Sequence, residues 1–214
     1  MKPICHIVCA GDFERDSFLP RQGDYVIACD SGLAYMESCG AVPDLIVGDF
    51  DSYERVPEGN NVVLLPREKD DTDSAYALKA GLDRGFSRFL LHGALGGKRI
   101  SHSLANISLL LFLKERGAEG IICGKNVCAG LLDRGSICFS SSESGYLSVF
   151  AVSAPCDIKL DGLKFGFSGL LSPSFQIGVS NEFIGEPARI TVNSGTLLWI
   201  CEGKAGDPAR FFVL

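Results

Sequence analysis

The chain has 214 residues, 46% of them hydrophobic, which is enough to form a substantial core without disulfide or metal support. Its formal net charge is −6 and its pI is near 5.1, so the overall field repels polyanions and we expect no nucleic-acid partner. The nine cysteines are odd in number and most lie inside apolar runs, which favours buried free thiols over a disulfide framework.

The N-terminus and the apolar segments bear on localisation. The first eight residues pass directly into a strand-like run and are too short in apolar length for a signal peptide. The longest lipophilic run, 109–113, is far shorter than a membrane span and is followed by Lys114. We therefore expect a cytoplasmic protein with no membrane contact.

Strand-like and helix-like segments alternate in the first part of the chain. The predicted strands are 4–10, 25–29, 45–47, 62–65, 89–92 and 120–123. The predicted helices are 32–39, 73–84 and 102–116, the second with Ala75, Leu78 and Leu82 on one face. This alternation predicts an α/β domain over residues 1–130, with a doubly wound, mostly parallel sheet.

The helical pattern stops after about residue 131. Short strand-like segments separated by Gly, Ser, Pro and Asn follow, for example 136–139, 146–151, 188–192 and 196–201. This pattern predicts an all-β sandwich domain over residues 131–214.

Charged residues follow four successive predicted strands. Asp30 ends the second strand, and the segments 48–52, 69–73 and 96–99 follow the third, fourth and fifth. Because ligands bind at the carboxyl ends of the strands in an open parallel sheet, we expect these groups to share one edge and form a ligand site.

Carboxylates that share an edge repel one another unless a cation lies among them. Mg²⁺ takes one or two carboxylates and completes its coordination with phosphate oxygens and water. The glycine-rich turn that carries Lys98 and Arg99 offers backbone N–H groups and positive charge to phosphates. The sequence therefore predicts a magnesium and phosphate site.

Single residues of this set also have ordinary structural roles. Asp73, beside Thr72, has the position of a helix cap, and Asp44 that of a turn residue. Caps do not require acidic residues after successive strands, so the joint pattern favours a site. His6 and His92 lie inside predicted strands and are predicted to be core residues.

Five segments, in this order, resemble the motifs of thiamine pyrophosphokinases. They are GDFDS at 48–52, KDDTD at 69–73, GALGG at 93–97 with RISHSLAN at 99–106, GVSNE at 178–182 and GTLL at 195–198. The resemblance implies a homodimer that transfers pyrophosphate from ATP to thiamine, giving thiamine diphosphate and AMP, with the thiamine site near the subunit interface.

The resemblance also implies roles for particular residues. Mg²⁺ is expected to bridge ATP to four catalytic aspartates, Asp49, Asp51, Asp71 and Asp73, with Arg99 as the catalytic cation. Residues expected to bind ATP are Asp30, as an outer ligand or base, and Lys69, Gly96, Gly97, Lys98, His102 and Asn106. Residues expected to bind thiamine are Ser101, Ser180 and Asn181. Trp199 and Phe183 are candidates for stacking on its ring, although we favour a core role for Trp199.

The third motif departs from the family pattern. Ser101 stands where relatives usually have an acidic residue, and the turn 96–99 carries one extra residue. We predict that Ser101 is the N-cap of helix 102–116. These departures leave open a catalytically impaired thiamine- or nucleotide-binding paralogue, and the acidic residues alone leave open a magnesium-dependent phosphohydrolase.

Overall fold

The structure is a computed structural model that describes residues 2–50, 57–68, 70–97, 99–203 and 206–212. Three of the predicted site residues, Asp51, Lys69 and Lys98, lie outside these ranges. The chain divides into two compact units, one comprising the residues up to Lys125 with Asp207–Phe212, the other comprising Asn126–Gly206. The domain limits predicted from the sequence stay a prediction.

A parallel sheet forms the centre of the first unit. Its strands in the described ranges are β1 (Cys5–Val8), β2 (Tyr25–Cys29), β3 (Leu45–Gly48), β4 (Val62–Leu64), β5 (Arg88–His92) and β6 (Glu119–Gly124). Their spatial order is β6-β5-β1-β2-β3-β4, and each neighbouring pair is parallel. The chain reverses its direction of travel between β1 and β5, which creates the switch point where ligands bind in open α/β sheets.

Helices cover both faces of this sheet. They are α1 (Gly32–Ser38), α2 (Asp73–Asp83) and α3 (Ile100–Glu115). Leu33 of α1 belongs to a core cluster with Val8 of β1. On the opposite face, a Cβ atom at Gly81 of α2 would lie 2.9 Å from the sulfur of Cys5, so α2 approaches the sheet closely. This arrangement confirms the predicted doubly wound α/β fold.

One local helix prediction is wrong. Helix α3 begins at Ile100, and the extended Arg99 (φ −123°, ψ 104°) is its N-cap. Ser101 therefore lies inside the first turn and is not the cap. In α2, Leu78 of the predicted stripe is buried together with Ser74, Ala77 and Gly81, whereas Ala75 and Leu82 are half-buried. A Cβ atom at Gly81 would lie 2.7 Å from the Phe89 ring, so glycine allows the helix to approach the sheet closely.

The second unit is antiparallel. Its strands in the described ranges are β7 (Val127–Leu132), β8 (Gly135–Phe139), β9 (Tyr146–Ala151), β10 (Cys156–Asp161), β11 (Phe167–Leu171), β12 (Asn181–Glu182), β13 (Ala188–Ser194) and β14 (Leu197–Glu202). One run of strands has the order β12-β9-β14-β7 and the other β11-β10-β13-β8. Antiparallel pairing in both confirms the predicted all-β domain.

Most of the buried hydrophobic residues in the described ranges are aliphatic, with aromatic and sulfur-containing side chains among them. Trp199 is fully buried and contacts Phe139 edge to face, with 6.4 Å between ring centroids, which confirms its predicted core role. All nine cysteines are free thiols, and seven of them are buried.

Within the described part of the chain, the helices are too short or too polar to cross a membrane.

Candidate active site

The segment after β1 and the turn after β5 are bound together at the switch point. Gly11 N–H donates to the Gly93 carbonyl (2.7 Å), and Asp12 N–H donates to the Leu95 carbonyl (2.8 Å). A Cβ atom at Gly11 would lie 2.3 Å from the Leu95 oxygen, so only glycine allows this approach. The third motif is therefore fixed to the end of the first strand.

Asp12 is a residue of this edge that the sequence reasoning missed. A Cβ atom at Gly96 would lie 2.2 Å from Asp12 Oδ2, so the carboxylate lies directly against the backbone of the third motif. Acidic residues follow the second, third and fourth predicted strands. Gly11-Asp12 follows the first predicted strand, with Asp12 two positions beyond its predicted end, and carries the same signal.

Asp30 holds its carboxylate over the end of β3. Its backbone has the left-handed φ of 44°, and its N–H donates to the Val47 carbonyl (2.9 Å). Its Oδ1 accepts a hydrogen bond from Phe50 N–H (3.3 Å). A Cβ atom at Gly48 would lie 2.0 Å from this Oδ1, so glycine at position 48 makes room for the carboxylate.

Asp30 and Asp73 share a hydrogen bond between their side chains. Burial and this bond raise the pKa of Asp30 to about 7, and the charges of Asp73 and Asp49 add to the increase, whereas the Phe50 N–H opposes it. Three carboxyl groups predicted for the site from distant parts of the sequence are thus close enough to interact. A bound cation would offset the negative charge that these groups bring together.

Asp71 and Asp73 have different surroundings although they belong to one motif. Thr72, not Asp73, caps α2, because Thr72 Oγ1 accepts a hydrogen bond from Ala75 N–H (3.2 Å). This leaves the Asp73 carboxylate directed to Asp30. Asp71 Oδ2 accepts a hydrogen bond from Lys79 Nζ (2.6 Å) on the surface of α2.

The acidic residues fit a magnesium site that is completed by substrate. Among the described residues, no group of three or more His, Cys, Asp or Glu side chains is placed to hold a metal ion unaided, and Asp51 lies outside these residues. Mg²⁺ needs only one or two carboxylates when phosphate oxygens and water complete its shell. Burial and the neighbouring carboxyl groups raise the pKa of Asp30, and a bound cation would oppose this effect.

Predicted phosphate-binding groups lie at the N-terminus of α3. Gly96 and Gly97 have positive φ values of 76° and 75° and are exposed. Arg99, Ser101 and His102 follow and are also exposed in the cap and first turn. The N–H groups of a first helical turn and the helix dipole favour an anion at such a position.

Asn106 is buried below this turn, with 7% of its surface exposed. Its Nδ2 donates to the Ala94 carbonyl (2.7 Å), and its Oδ1 accepts a hydrogen bond from Ser74 Oγ (2.8 Å). Both ends of its amide are thus engaged by the protein. Its predicted contact with ATP stays a prediction.

The residues predicted to bind thiamine lie in the second unit. Ser180 is exposed, has a left-handed φ of 56°, and its N–H donates to Ser148 Oγ (3.0 Å). Asn181 is buried: its Oδ1 accepts hydrogen bonds from Phe165 N–H (3.0 Å) and Glu182 N–H (3.0 Å), and its Nδ2 donates to the Phe165 carbonyl (2.7 Å). Asn181 therefore holds the segment that carries Phe165.

An apolar cavity of about 140 Å³ lies beside this segment. Its walls come from β9 to β11 and from the chain around Ser180. They are Val149, Ile158, Leu160, Phe165, Gly166, Phe167, Leu171, Ile177, Gly178, Val179 and Asn181. Phe183, the other stacking candidate, contacts Phe139 at 5.4 Å between ring centroids.

His6 and His92 are buried, as predicted, and form a polar chain across the sheet. His6 Nδ1 lies 3.1 Å from His92 Nε2, and His6 Nε2 lies 3.2 Å from Asp24 Oδ2. Burial lowers the pKa of both histidines, and for His6 the Asp24 carboxylate opposes this effect. These groups lie in the interior of the first unit.

Comparison with known proteins connects both units to one family. Residues 19–122 match the family description "Thiamin pyrophosphokinase, catalytic domain", and residues 136–197 match "Thiamin pyrophosphokinase, vitamin B1 binding domain". A comparison with curated proteins found no match.

Three of the solved structures that are similar to this chain illustrate the match. A thiamine pyrophosphokinase from Bacillus subtilis is 21% identical, with a TM-score of 0.80 over 94% of this chain and 100% of that chain. A thiamin pyrophosphokinase family protein from Enterococcus faecalis is 25% identical, with a TM-score of 0.77 over 95% and 100%. A thiamin pyrophosphokinase from Candida albicans is 18% identical, with a TM-score of 0.72 over 94% and 89%. Because both domains match in the order that the sequence motifs indicate, the chain belongs to the thiamin pyrophosphokinase family.

Proposed function

We infer that the chain is a thiamine diphosphokinase, which transfers a pyrophosphoryl group from ATP to thiamine and gives thiamine diphosphate and AMP. The match of both family domains carries this conclusion. The convergence of Asp30, Asp49 and Asp73 at the carboxyl edge of the parallel sheet supports it. Phosphoryl transfer requires a metal ion that neutralises charge on the phosphates, and carboxylates at this edge can bind such an ion.

We propose that Asp49 and Asp73 hold Mg²⁺, with Asp51 and Asp71 as the further expected ligands and Asp30 as an outer ligand or base. When bound, Mg²⁺ would neutralise charge on the phosphates of ATP and orient them. The capped start of α2 fixes the direction of Asp73, and Gly48 gives the Asp30 carboxylate its place beside Asp73.

The reaction is an attack of the thiamine hydroxyl oxygen on the β-phosphorus of ATP. The bond from that phosphorus to the oxygen bridging the α- and β-phosphates breaks, and AMP leaves with this oxygen. The hydroxyl proton passes to a base, the role proposed above for Asp30. The chain contributes position and charge: Arg99 stands at the N-cap of α3, beside Gly96 and Gly97, where the phosphates are expected. Lys69, Lys98 and His102 are further expected contacts.

We propose that thiamine contacts the second unit around Ser180. Ser180 is exposed and carries a hydroxyl that can donate and accept, which suits the aminopyrimidine ring. Asn181 already uses its amide to hold Phe165 and Glu182, so its contribution is to shape the segment.

We further propose a homodimer in the cytoplasm. Large apolar side chains are exposed on the second unit at Phe165, Phe175, Ile177 and Val179, which is typical of a surface that another chain covers. Nine free thiols are typical of a reducing compartment.

The test is incubation with ATP, Mg²⁺ and thiamine, followed by chromatography of the products. We expect AMP and thiamine diphosphate in equal amounts and no turnover with excess chelator. Release of inorganic phosphate instead would indicate a phosphohydrolase. Calorimetric binding of both substrates without turnover would indicate an impaired paralogue.

A further inference from the structure

We propose that Ser74 and Asn106 are positioning residues that form a buried hydrogen-bonded strut between the two loops of the phosphate site. Ser74 Oγ donates to Asn106 Oδ1 (2.8 Å), and Asn106 Nδ2 donates to the Ala94 carbonyl (2.7 Å). Both side chains are buried, and the proposed strut acts through the loops that it holds. The inference rests on the proposed function.

One end of the strut is tied to the acidic motif. Ser74 follows Asp73, the residue that shares a hydrogen bond with Asp30. The hydroxyl oxygens of Ser74 and Thr72 are 3.1 Å apart, and Thr72 is the N-cap of α2. A displacement of Ser74 therefore moves the start of α2 and the Asp73 carboxylate with it.

The other end is tied to the glycine-rich turn. The carbonyls of Gly93 and Leu95 accept hydrogen bonds from the segment after β1, and the carbonyl between them, that of Ala94, accepts from Asn106. The turn is thus held from two directions, by β1 on one side and by α3 on the other. Loss of the Asn106 donor would leave the Ala94 carbonyl buried without this partner.

The chemistry of the strut explains the residue types. An asparagine amide can accept from the serine hydroxyl at one end and donate to a carbonyl at the other, which aspartate and leucine cannot do. An apolar side chain could fill the same volume, but it would not set the distance between α2 and the turn. The strut therefore serves to place Asp73 relative to Gly96, Gly97 and Arg99.

The decisive variant is Ser74→Ala, because the Thr72 cap on α2 remains. We expect kcat/KM for ATP to fall by about tenfold to a hundredfold, as for other small displacements of reacting groups, with KM for thiamine unchanged. Ser74→Thr keeps the hydroxyl and should retain more activity than Ser74→Ala. Ser108→Ala removes an exposed hydroxyl from α3 that bonds only within its own helix turn, and it should match the wild type.

Asn106→Asp cuts the second link, since a carboxylate cannot donate to Ala94. Because the two links act in series, the double variant should be no slower than the slower single variant. Multiplied effects, equal rises in both KM values, or an unchanged kcat/KM in Ser74→Ala would each overturn the strut. Wild-type turnover tests the proposed function separately; where it is absent, calorimetric ATP binding by the same variants tests the strut.

Discussion

Replacing Asp30 with asparagine should stabilise the ligand-free protein at alkaline pH. Asparagine tolerates the left-handed backbone of this position and keeps an acceptor for Phe50 N–H. A carboxyl pKa that rises from 3.8 to about 7 corresponds to about 4 kcal/mol for a fully buried group. Because Asp30 is only half-buried, solvent screening reduces this to about 1–2 kcal/mol.

The sign follows from the direction of the pKa shift. The folded state binds the Asp30 proton more tightly than the unfolded state, so the free energy of unfolding of the wild type falls as pH rises from 4 to 7. Urea unfolding in chelator should therefore show Asp30→Asn more stable than the wild type at pH 8 and equal to it at pH 4. Added Mg²⁺ should narrow the difference at pH 8.

The matched control is Asp16→Asn, which changes an exposed aspartate. Its urea unfolding curve should coincide with that of the wild type at both pH values. Equal stability of Asp30→Asn and the wild type at pH 8 would contradict the raised pKa of Asp30.

Three further predictions concern catalysis. Asp49→Asn should abolish turnover with less than about 1 kcal/mol change in the free energy of unfolding, because this residue serves the ligand site; near wild-type turnover would contradict its role. Asn181→Ala should raise KM for thiamine and leave KM for ATP unchanged, because it releases the backbone of Phe165 in the second unit at a cost of about 1–3 kcal/mol; equal rises would assign it a purely structural role. Ser101→Asp should raise turnover, because it supplies the acidic residue expected from the family motif, and calorimetric ATP affinity should change little. Aspartate is also favourable in the first turn of α3, so a drop in turnover at unchanged stability would show that serine is required.

The sequence predicted the fold best where the periodicity of apolar residues identifies strands and helices and their order along the chain. Alternating strands and helices predicted the parallel sheet, and the rule that ligands bind at the carboxyl edge brought Asp30, Asp49 and Asp73 into one hypothesis. The hydrogen bond between Asp30 and Asp73 could not be predicted, because it depends on the left-handed backbone of Asp30 and the close approach allowed by Gly48.

The local preference of a residue type gave a wrong prediction where the surrounding structure sets the start of a helix. Ser101 has the chemistry of an N-cap, but α3 begins earlier because Arg99 is extended. Strand β10 carried a usable signal, since Cys156, Ile158 and Leu160 alternate with exposed or half-buried residues. The two-residue strand β12 carried none, because its pairing with β9 depends on contacts far along the chain.

The central position of β1 has a consequence for the order of folding. Its pairing with β2 joins neighbours in sequence, whereas its pairing with β5 closes a long loop, with Cys5 opposite Phe89. Long-range parallel pairing is slow because the loop entropy is lost before the contacts form. During synthesis, β1 can pair with β5 only after residues 88–97 have left the ribosome, so the carboxyl edge that forms the binding site is completed late. Partly folded chains that contain β1 to β4 would expose the unpaired side of β1, which makes this stage the one most open to aggregation.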